Sequence, residues 1–198
     1  MNVVFDLGGV VFNWQPDVIV RSVFDDPATR VLVREEIIDN PDWLELDRGT
    51  LSLDEAIVRG TSRTGLTAER VAQLFNAVPH FLTPIEGTID LIREVRSSGH
   101  PLFVLSNMHL AGADFLESKY DIWDLFEGIV FSARIQQVKP EPGIYEHLLV
   151  EHRLDPAETV FIDDICENLE AASTFGIHTI QFIDATQCRQ ELSKMNCL

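Results

Sequence analysis

The sequence predicts a doubly wound α/β protein with a small helical insert after its first strand, and two observations carry that expectation. Short, apolar, β-branched runs recur along the chain with amphipathic, helix-like stretches between them. Residues 14–83, between the first run and the second, show helical periodicity and no convincing strand. A normal βαβ crossover needs far fewer residues.

The elements follow in order. Val3-Val4-Phe5 is the first strand. Inside the insert, Ser52-Leu-Asp-Glu55 is a capping box leading into Ala56, Ile57 and Val58, and Thr67 caps a helix carrying Val71, Leu74, Phe75 and Val78. Ile85, Ile89, Ile92 and Val95 keep helical spacing, with Thr83, Pro84 and Glu86 as a start signal and Gly99 as a stop. Strands are expected at Leu102 to Leu105, Ile129 to Phe131, Val160 to Ile162 and His178 to Ile183. None alternates with polar residues, as expected of strands buried on both faces. Pro142 opens a helix carrying Ile144, Leu148 and Leu149. Ile165, Leu169, Ala172 and Phe175 form another apolar stripe, closed by Gly176. The division is a core of 1–13 and 84–198 and an insert of 14–83, placed where open α/β sheets bind ligands.

Composition narrows the function. Apolar residues make up 45% of the 198, which fits a folded chain with an ample core. Fifteen Lys and Arg against 32 Asp and Glu give a net charge of −17, which excludes nucleic acid and anionic lipid as general partners. Asp6 and two glycines interrupt the first apolar run, so no secretory leader is expected, and no stretch approaches a membrane span. Three unevenly spaced cysteines without a CxxC pair predict neither a disulfide framework nor a structural zinc, and point to the cytoplasm. Cys166 is expected to be an inert packing residue. No P-loop, GxGxxG, HExxH or GxSxG pattern is present.

Polar residues fall at the carboxyl ends of the strands or on the loops beyond: Asp6, Ser106 with Asn107, Lys139, and the pair Asp163-Asp164. Each alone has an ordinary reading as a turn, cap or solvated charge. Together on one sheet edge they make a phosphate site. Asp6 and Asp164 supply hard oxygen ligands suited to Mg²⁺, Lys139 adds positive charge, and Ser106 adds a donor. A cation and a lysine also explain how so acidic a protein would accept a small phosphate ester. In such a site Asp6 can attack phosphorus as a nucleophile.

The ordered set Asp6-Leu-Gly-Gly-Val10, Ser106-Asn107, Lys139-Pro140 and Asp163-Asp164 resembles the four motifs of the haloacid dehalogenase superfamily, and the helical insert resembles its cap. Within it the chain looks most like bacterial sugar-1-phosphate phosphatases and the phosphatase domain of soluble epoxide hydrolase. The resemblance implies a Mg²⁺-dependent phosphatase acting on a small phosphorylated metabolite, a sugar phosphate foremost. Asp6 would form an aspartyl-phosphate, with Asp6, Asp164 and the Gly8 carbonyl as metal ligands. Ser106 and Lys139 would hold the phosphoryl group, with Asn107 beside them. Asp163 would support Lys139 or a metal-bound water, and Asn168 would orient Asp164.

Gly8 departs from the pattern, because phosphatases of this family usually carry a second Asp there as general acid and base. Such help is commonly worth about 10²–10⁴ in rate. The departure leaves three alternatives: a donor from elsewhere or an easy leaving group, a metal-free 2-haloacid dehalogenase, or a weakened protein that only binds phosphoryl groups. The adjacent Asp163-Asp164 pair argues against the dehalogenase. Substrate choice is expected from the seam between core and cap, where Trp14, Trp43, Glu45, Asp47 and Arg48 fall. Arg48 has two readings, a contact to substrate or an ion pair at a helix end, the second being the commoner.

Overall fold

The apolar runs become strands β1 (Asn2–Phe5), β2 (Leu102–Ser106), β3 (Gly128–Phe131), β4 (Thr159–Asp163) and β5 (His178–Gln181) in a computed structural model that describes residues 1–198. All pair in parallel, in the order β3-β2-β1-β4-β5. The expectation of burial on both faces fails for β5, which lies at the sheet edge with His178, Thr179 and Gln181 exposed. Phe5 sits level with Val104 on one side and Ile162 on the other, so Asp6, Ser106 and Asp163 leave the sheet at one edge. The chain builds outward from β1 in one direction and then returns to build in the other. The crevice between β1 and β4 is therefore the switch point where such sheets bind ligands.

Side-chain alternation divides the strands between two faces. Val3, Phe5, Val104 and Ile162 enter one buried cluster, and Val4, Phe103, Leu105 and Phe161 enter another. A third cluster belongs to the insert, where α1 (Pro16–Val23), α2 (Pro27–Val33), a π-helical turn (Arg34–Ile38), α3 (Pro41–Arg48), α4 (Leu53–Thr64) and α5 (Ala68–Phe81) surround Ile19, Phe24, Ile37, Val71 and Leu74. Proline starts the first three of these α-helices, where its missing N–H costs nothing. Ser52 and Glu55 form the expected capping box on α4, and the Thr67 side chain accepts from Arg70 N–H at the start of α5. Trp14 packs against both the core cluster and that of the insert.

The chain enters and leaves the insert through a paired neck. Asn13 N–H donates to Thr83 O at 2.8 Å, Ile85 N–H donates to Val11 O at 2.9 Å, and Phe12 and Pro84 form an antiparallel bridge. The neck moves a helix start: α6 is Thr88–Ser97, not a helix entered at Thr83-Pro84. Those two residues are held in the bridge, and Gly87 turns the chain at φ +79° before the first helical residue. Leu91 is consequently buried on α6 while Ile89 is only partly so.

The remaining helices are α7 (Leu110–Lys119), α8 (Ser132–Ile135), α9 (Pro142–Glu151), α10 (Cys166–Ser173) and α11 (Ala185–Lys194). Ile165 is not part of the buried stripe of α10; it precedes the helix and is 48% exposed. Cys166 is likewise exposed rather than packed, while Cys188 and Cys197 are buried, and all three are free. No helix is long and apolar enough to cross a membrane.

Candidate active site

Asp6 is fixed by the sheet before its side chain does anything. Its N–H donates to Ile162 O at 2.9 Å, which continues the β1–β4 pairing one residue past the strand. Lys139 arrives from the loop after α8 and is 2% exposed. Its Nζ lies 2.9 Å from Asp6 Oδ1 and 2.7 Å from Asp163 Oδ2, with the Phe161 ring centroid 5.2 Å away. Burial alone would lower the lysine pKa, but these two carboxylates outweigh it and hold the ammonium above its ordinary value. Burial pushes the Asp6 carboxyl up to about 7, against the pull of Lys139.

Two residues expected nearby are present in other roles. Asn107 grips the Lys139 backbone: its Oδ1 accepts from Lys139 N–H at 2.8 Å and its Nδ2 donates to Lys139 O at 3.0 Å. Asn107 lines the cavity, but its amide is occupied in placing the lysine. Asn168 donates to both oxygens of Asp163, at 3.1 and 3.0 Å, and not to Asp164 as its spacing suggested. With Ile165 N–H at 2.8 Å, Asp163 is completely enclosed and braces Lys139.

Asp164 is left open in a different sense. Its Oδ1 is buried without a hydrogen-bond partner, and burial followed by the Asp163 charge raises its pKa. Carboxylate oxygens of Asp6, Asp163 and Asp164 lie within 4.8 Å of one another. A side chain at Gly9 would invade this group: a Cβ there would sit 2.3 Å from Asp164 Oδ2, and the backbone φ is +79°. Glycine is the residue that meets both conditions. Gly8 is under neither constraint. A Cβ there would meet only Trp14 Cβ, at 3.8 Å. Ser106 is 1% exposed, with an unpartnered Oγ at the end of β2.

A cavity of about 230 Å³ opens over this edge. Asp6, Gly8 and Lys139 line it from the core, and Trp14, Ile38, Trp43 and Val78 from the insert side. Trp14 and Trp43 rings lie 5.6 Å apart, and Trp43 stacks on Phe75 at 5.5 Å, so the aromatic wall is packed from behind. Both tryptophans therefore hold the seam and also border the cavity.

Arg48 does not line this cavity. It makes a bidentate pair with Glu141 at 2.6 and 2.7 Å and a second contact to Glu45 at 3.2 Å, so the ion-pair reading describes it. Its neighbour Asp47 does line the cavity, as does His109. Asp47 Oδ1 accepts from His109 N–H at 3.1 Å. The His109 ring caps α7, its Nδ1 accepting from Gly112 N–H at 3.2 Å, and burial lowers its pKa to about 4. Asp47 was legible as a seam residue; His109 carried no signal, because its placement depends on how β2 and α3 meet in space.

The chain is similar to known proteins along most of its length. Residues 52–182 match the family model for haloacid dehalogenase-like hydrolases. A sesquiterpene phosphatase of Aspergillus oryzae is 30% identical over 192 residues, covering 97% of this chain and 94% of that protein. A D-ribitol-5-phosphate phosphatase of Bacteroides thetaiotaomicron is 26% identical over 205 residues, covering 97% and 96%. A solved haloacid dehalogenase-family enzyme from Bacteroides thetaiotaomicron, in complex with magnesium and inorganic phosphate, superposes with a TM-score of 0.71 at 22% identity, covering 92% of this chain and 94% of that one.

Proposed function

The chain belongs to the haloacid dehalogenase-like hydrolase family, and from that premise we propose that it is a Mg²⁺-dependent phosphomonoesterase that works through an aspartyl-phosphate on Asp6. The observation that carries this reading is the buried array itself. Three carboxylates face a single ammonium, which leaves two negative charges for a divalent cation to balance. The buried, unpartnered Oδ1 of Asp164 is an acceptor awaiting a ligand. Asp6, Asp164 and the Gly8 carbonyl would hold Mg²⁺. When bound, the cation supplies Lewis-acid stabilisation of phosphoryl charge and favours the ionised form of Asp6.

The chain's own groups then divide the work. Asp6 attacks phosphorus, its position set by the β1–β4 pairing. Lys139, locked by Asn107 and Asp163, holds its charge beside the attacking oxygen and stabilises the equatorial oxygens. Ser106 Oγ, free of any other partner, donates to the same group. Water then cleaves the acyl phosphate and restores Asp6. A metal-free dehalogenase would leave Asp164 without a role, which weighs against that alternative.

The substrate reading follows the cavity wall. Trp14, Ile38, Trp43, Val78, Leu82 and Met108 border it, while Arg34 and Asp39 are paired with each other at 2.8 Å. A wall this apolar favours a monoester whose organic part is apolar, such as an isoprenoid phosphate. The likeness to a sesquiterpene phosphatase supports this. The second reading is the expected sugar phosphate, supported by the likeness to a ribitol phosphate phosphatase.

The test is phosphate release from isoprenoid, sugar and alditol monophosphates, with Mg²⁺ and with EDTA. Mg²⁺-dependent release, fastest from the isoprenoid ester and abolished by Asp6→Asn, is the expected result. Faster release from the sugar or alditol esters would select the second reading. No release from any ester would overturn both.

A further inference from the structure

Gly8 leaves this site without its usual proton donor, and nothing in the backbone requires glycine there. The other polar groups of the cavity are occupied. Lys139 is bound between Asp6 and Asp163, Asn107 holds the Lys139 backbone, and Asp39 is paired with Arg34. His109 stays neutral at working pH, and neutral imidazole is far too weak an acid. Asp47 differs from all of these: it borders the same cavity as Asp6 and Gly8, and it forms no ion pair.

Asp47 is also held as an acid–base group must be. The carboxyl end of α3 is clamped onto the core at three consecutive residues. Ser132 Oγ donates to Asp47 O at 2.5 Å. Arg48 makes its bidentate pair with Glu141. Gly49, at φ +79°, lies so close to α8 that a Cβ would sit 2.6 Å from Ala133 O. The carboxyl itself is steadied by His109 N–H. A residue from the insert is thereby fixed to the frame that carries Asp6.

We propose that Asp47 supplies the general acid and base that Gly8 does not. The inference rests on the phosphatase reading above. Asp47 begins protonated. As Asp6 Oδ bonds to phosphorus and the ester P–O bond breaks, the Asp47 proton passes to the departing alkoxide, which leaves as the alcohol. Asp47, now a carboxylate, takes a proton from the water that attacks the acyl phosphate. The bond between phosphorus and Asp6 breaks, inorganic phosphate leaves, and both residues return to their starting forms. The surroundings of Asp47 suit the role: burial pushes its carboxyl up to about 7 against the pull of the His109 N–H and of the Trp43 side chain, and the charge of Asp6 adds to the rise. The residue is half-buried, enclosed by protein yet reached by the cavity, so it can meet a leaving oxygen.

The test compares an alkyl phosphate with p-nitrophenyl phosphate, whose leaving group needs no proton. Asp47→Asn keeps an acceptor for His109 N–H. It should lower kcat/KM, which reports the steps up to release of the alcohol, by about 10²–10⁴ for the alkyl ester and by less than about tenfold for the nitrophenyl ester. Loss of the base for the shared second step falls on kcat alone. Gly8→Asp, placed in the Asp47→Asn background, should restore at least about tenfold of the alkyl rate, since the added carboxyl then occupies the family's usual position. Equal losses of kcat/KM with both esters, or no loss with either, would overturn the assignment, and so would failure of Gly8→Asp to restore kcat/KM for the alkyl ester in a folded Asp47→Asn protein. Should Asp47→Asn alone fail to fold, Asp47→Glu, which keeps a carboxyl, must retain the wild-type ratio of the two esters; a collapse of that ratio with Glu counts against the role. Wild-type protein inert towards both esters defeats the phosphatase reading itself, whereas an active wild type with equal losses defeats only the role of Asp47.

Discussion

Asparagine in place of Asp163 removes one charge and keeps the shape, which makes its cost unusually easy to reason through. Asp163 is fully enclosed. Its Oδ1 must accept from Ile165 N–H at 2.8 Å, so the new amide NH₂ is forced to the Oδ2 position. There it meets Lys139 Nζ at 2.7 Å and Asn168 Nδ2 at 3.0 Å, both of them donors. Breaking a buried ion pair by removing one partner typically costs about 3–5 kcal/mol. Asp6 still holds the ammonium at 2.9 Å, and one carboxylate fewer relieves some repulsion, so the lower end, about 3 kcal/mol, is expected here. For a chain of this size that is a fall of about 6–12 °C in melting midpoint, at roughly 2–4 °C per kcal/mol. Thermal denaturation in EDTA, followed by circular dichroism, reads it without interference from bound cation. In the double variant Lys139→Met/Asp163→Asn the two costs should be non-additive by at least about 1 kcal/mol. A midpoint within about 2 °C of wild type would refute the reasoning, because it would mean that Asp163 does not brace a charged lysine.

Two further perturbations probe neighbouring parts of the frame. Gly9→Ala sets a Cβ against Asp164 in a left-handed backbone, and should cost about 1–2 kcal/mol in stability. It should also weaken Mg²⁺ binding about 10–100-fold by calorimetric titration, and unchanged affinity would show that Asp164 is not a ligand. His109 has its folded pKa depressed to about 4 from 6.5, so its contribution to stability is complete above pH 6.5 and disappears as pH falls towards 4. Urea unfolding of wild type between pH 7 and pH 4 should therefore lose about 3 kcal/mol more than His109→Asn, which keeps a capping acceptor for α7. Parallel curves for the two proteins would remove His109 from the account.

The strands and the charged groups at their ends could be read from the chain because both signals are local. A short β-branched run followed by Asp6, Ser106 or Asp163-Asp164 carries its own punctuation. Partner choice could not be read so well. Asn168 lies four residues from Asp164 and five from Asp163, and only the path of the turn at Ile165 decides that it reaches the latter. Arg48 and Asp47 are neighbours separated by about 100° around a helix, and the sequence does not say which of them faces the seam. The π-helical turn at Arg34–Ile38 adds to the difficulty by rotating the face that follows it. Thr83 and Pro84 read as a helix start because their pairing with Phe12 and Asn13 spans some seventy residues, beyond any local pattern.

That same paired neck has an evolutionary consequence. Because residues 12–13 and 83–85 lie side by side, the two ends of the insert meet the core at almost one point. A segment attached in this way can be lengthened, repacked or exchanged for another with little disturbance to the sheet beneath it. Lineages could therefore trade one cassette of helices for another, and so change the molecules they recognise, while inheriting the reactive edge intact. If Asp47 does supply the proton, this lineage has gone further and moved part of the chemistry itself into the exchangeable piece. Swapping the cassette would then alter how the reaction runs as well as what it runs on.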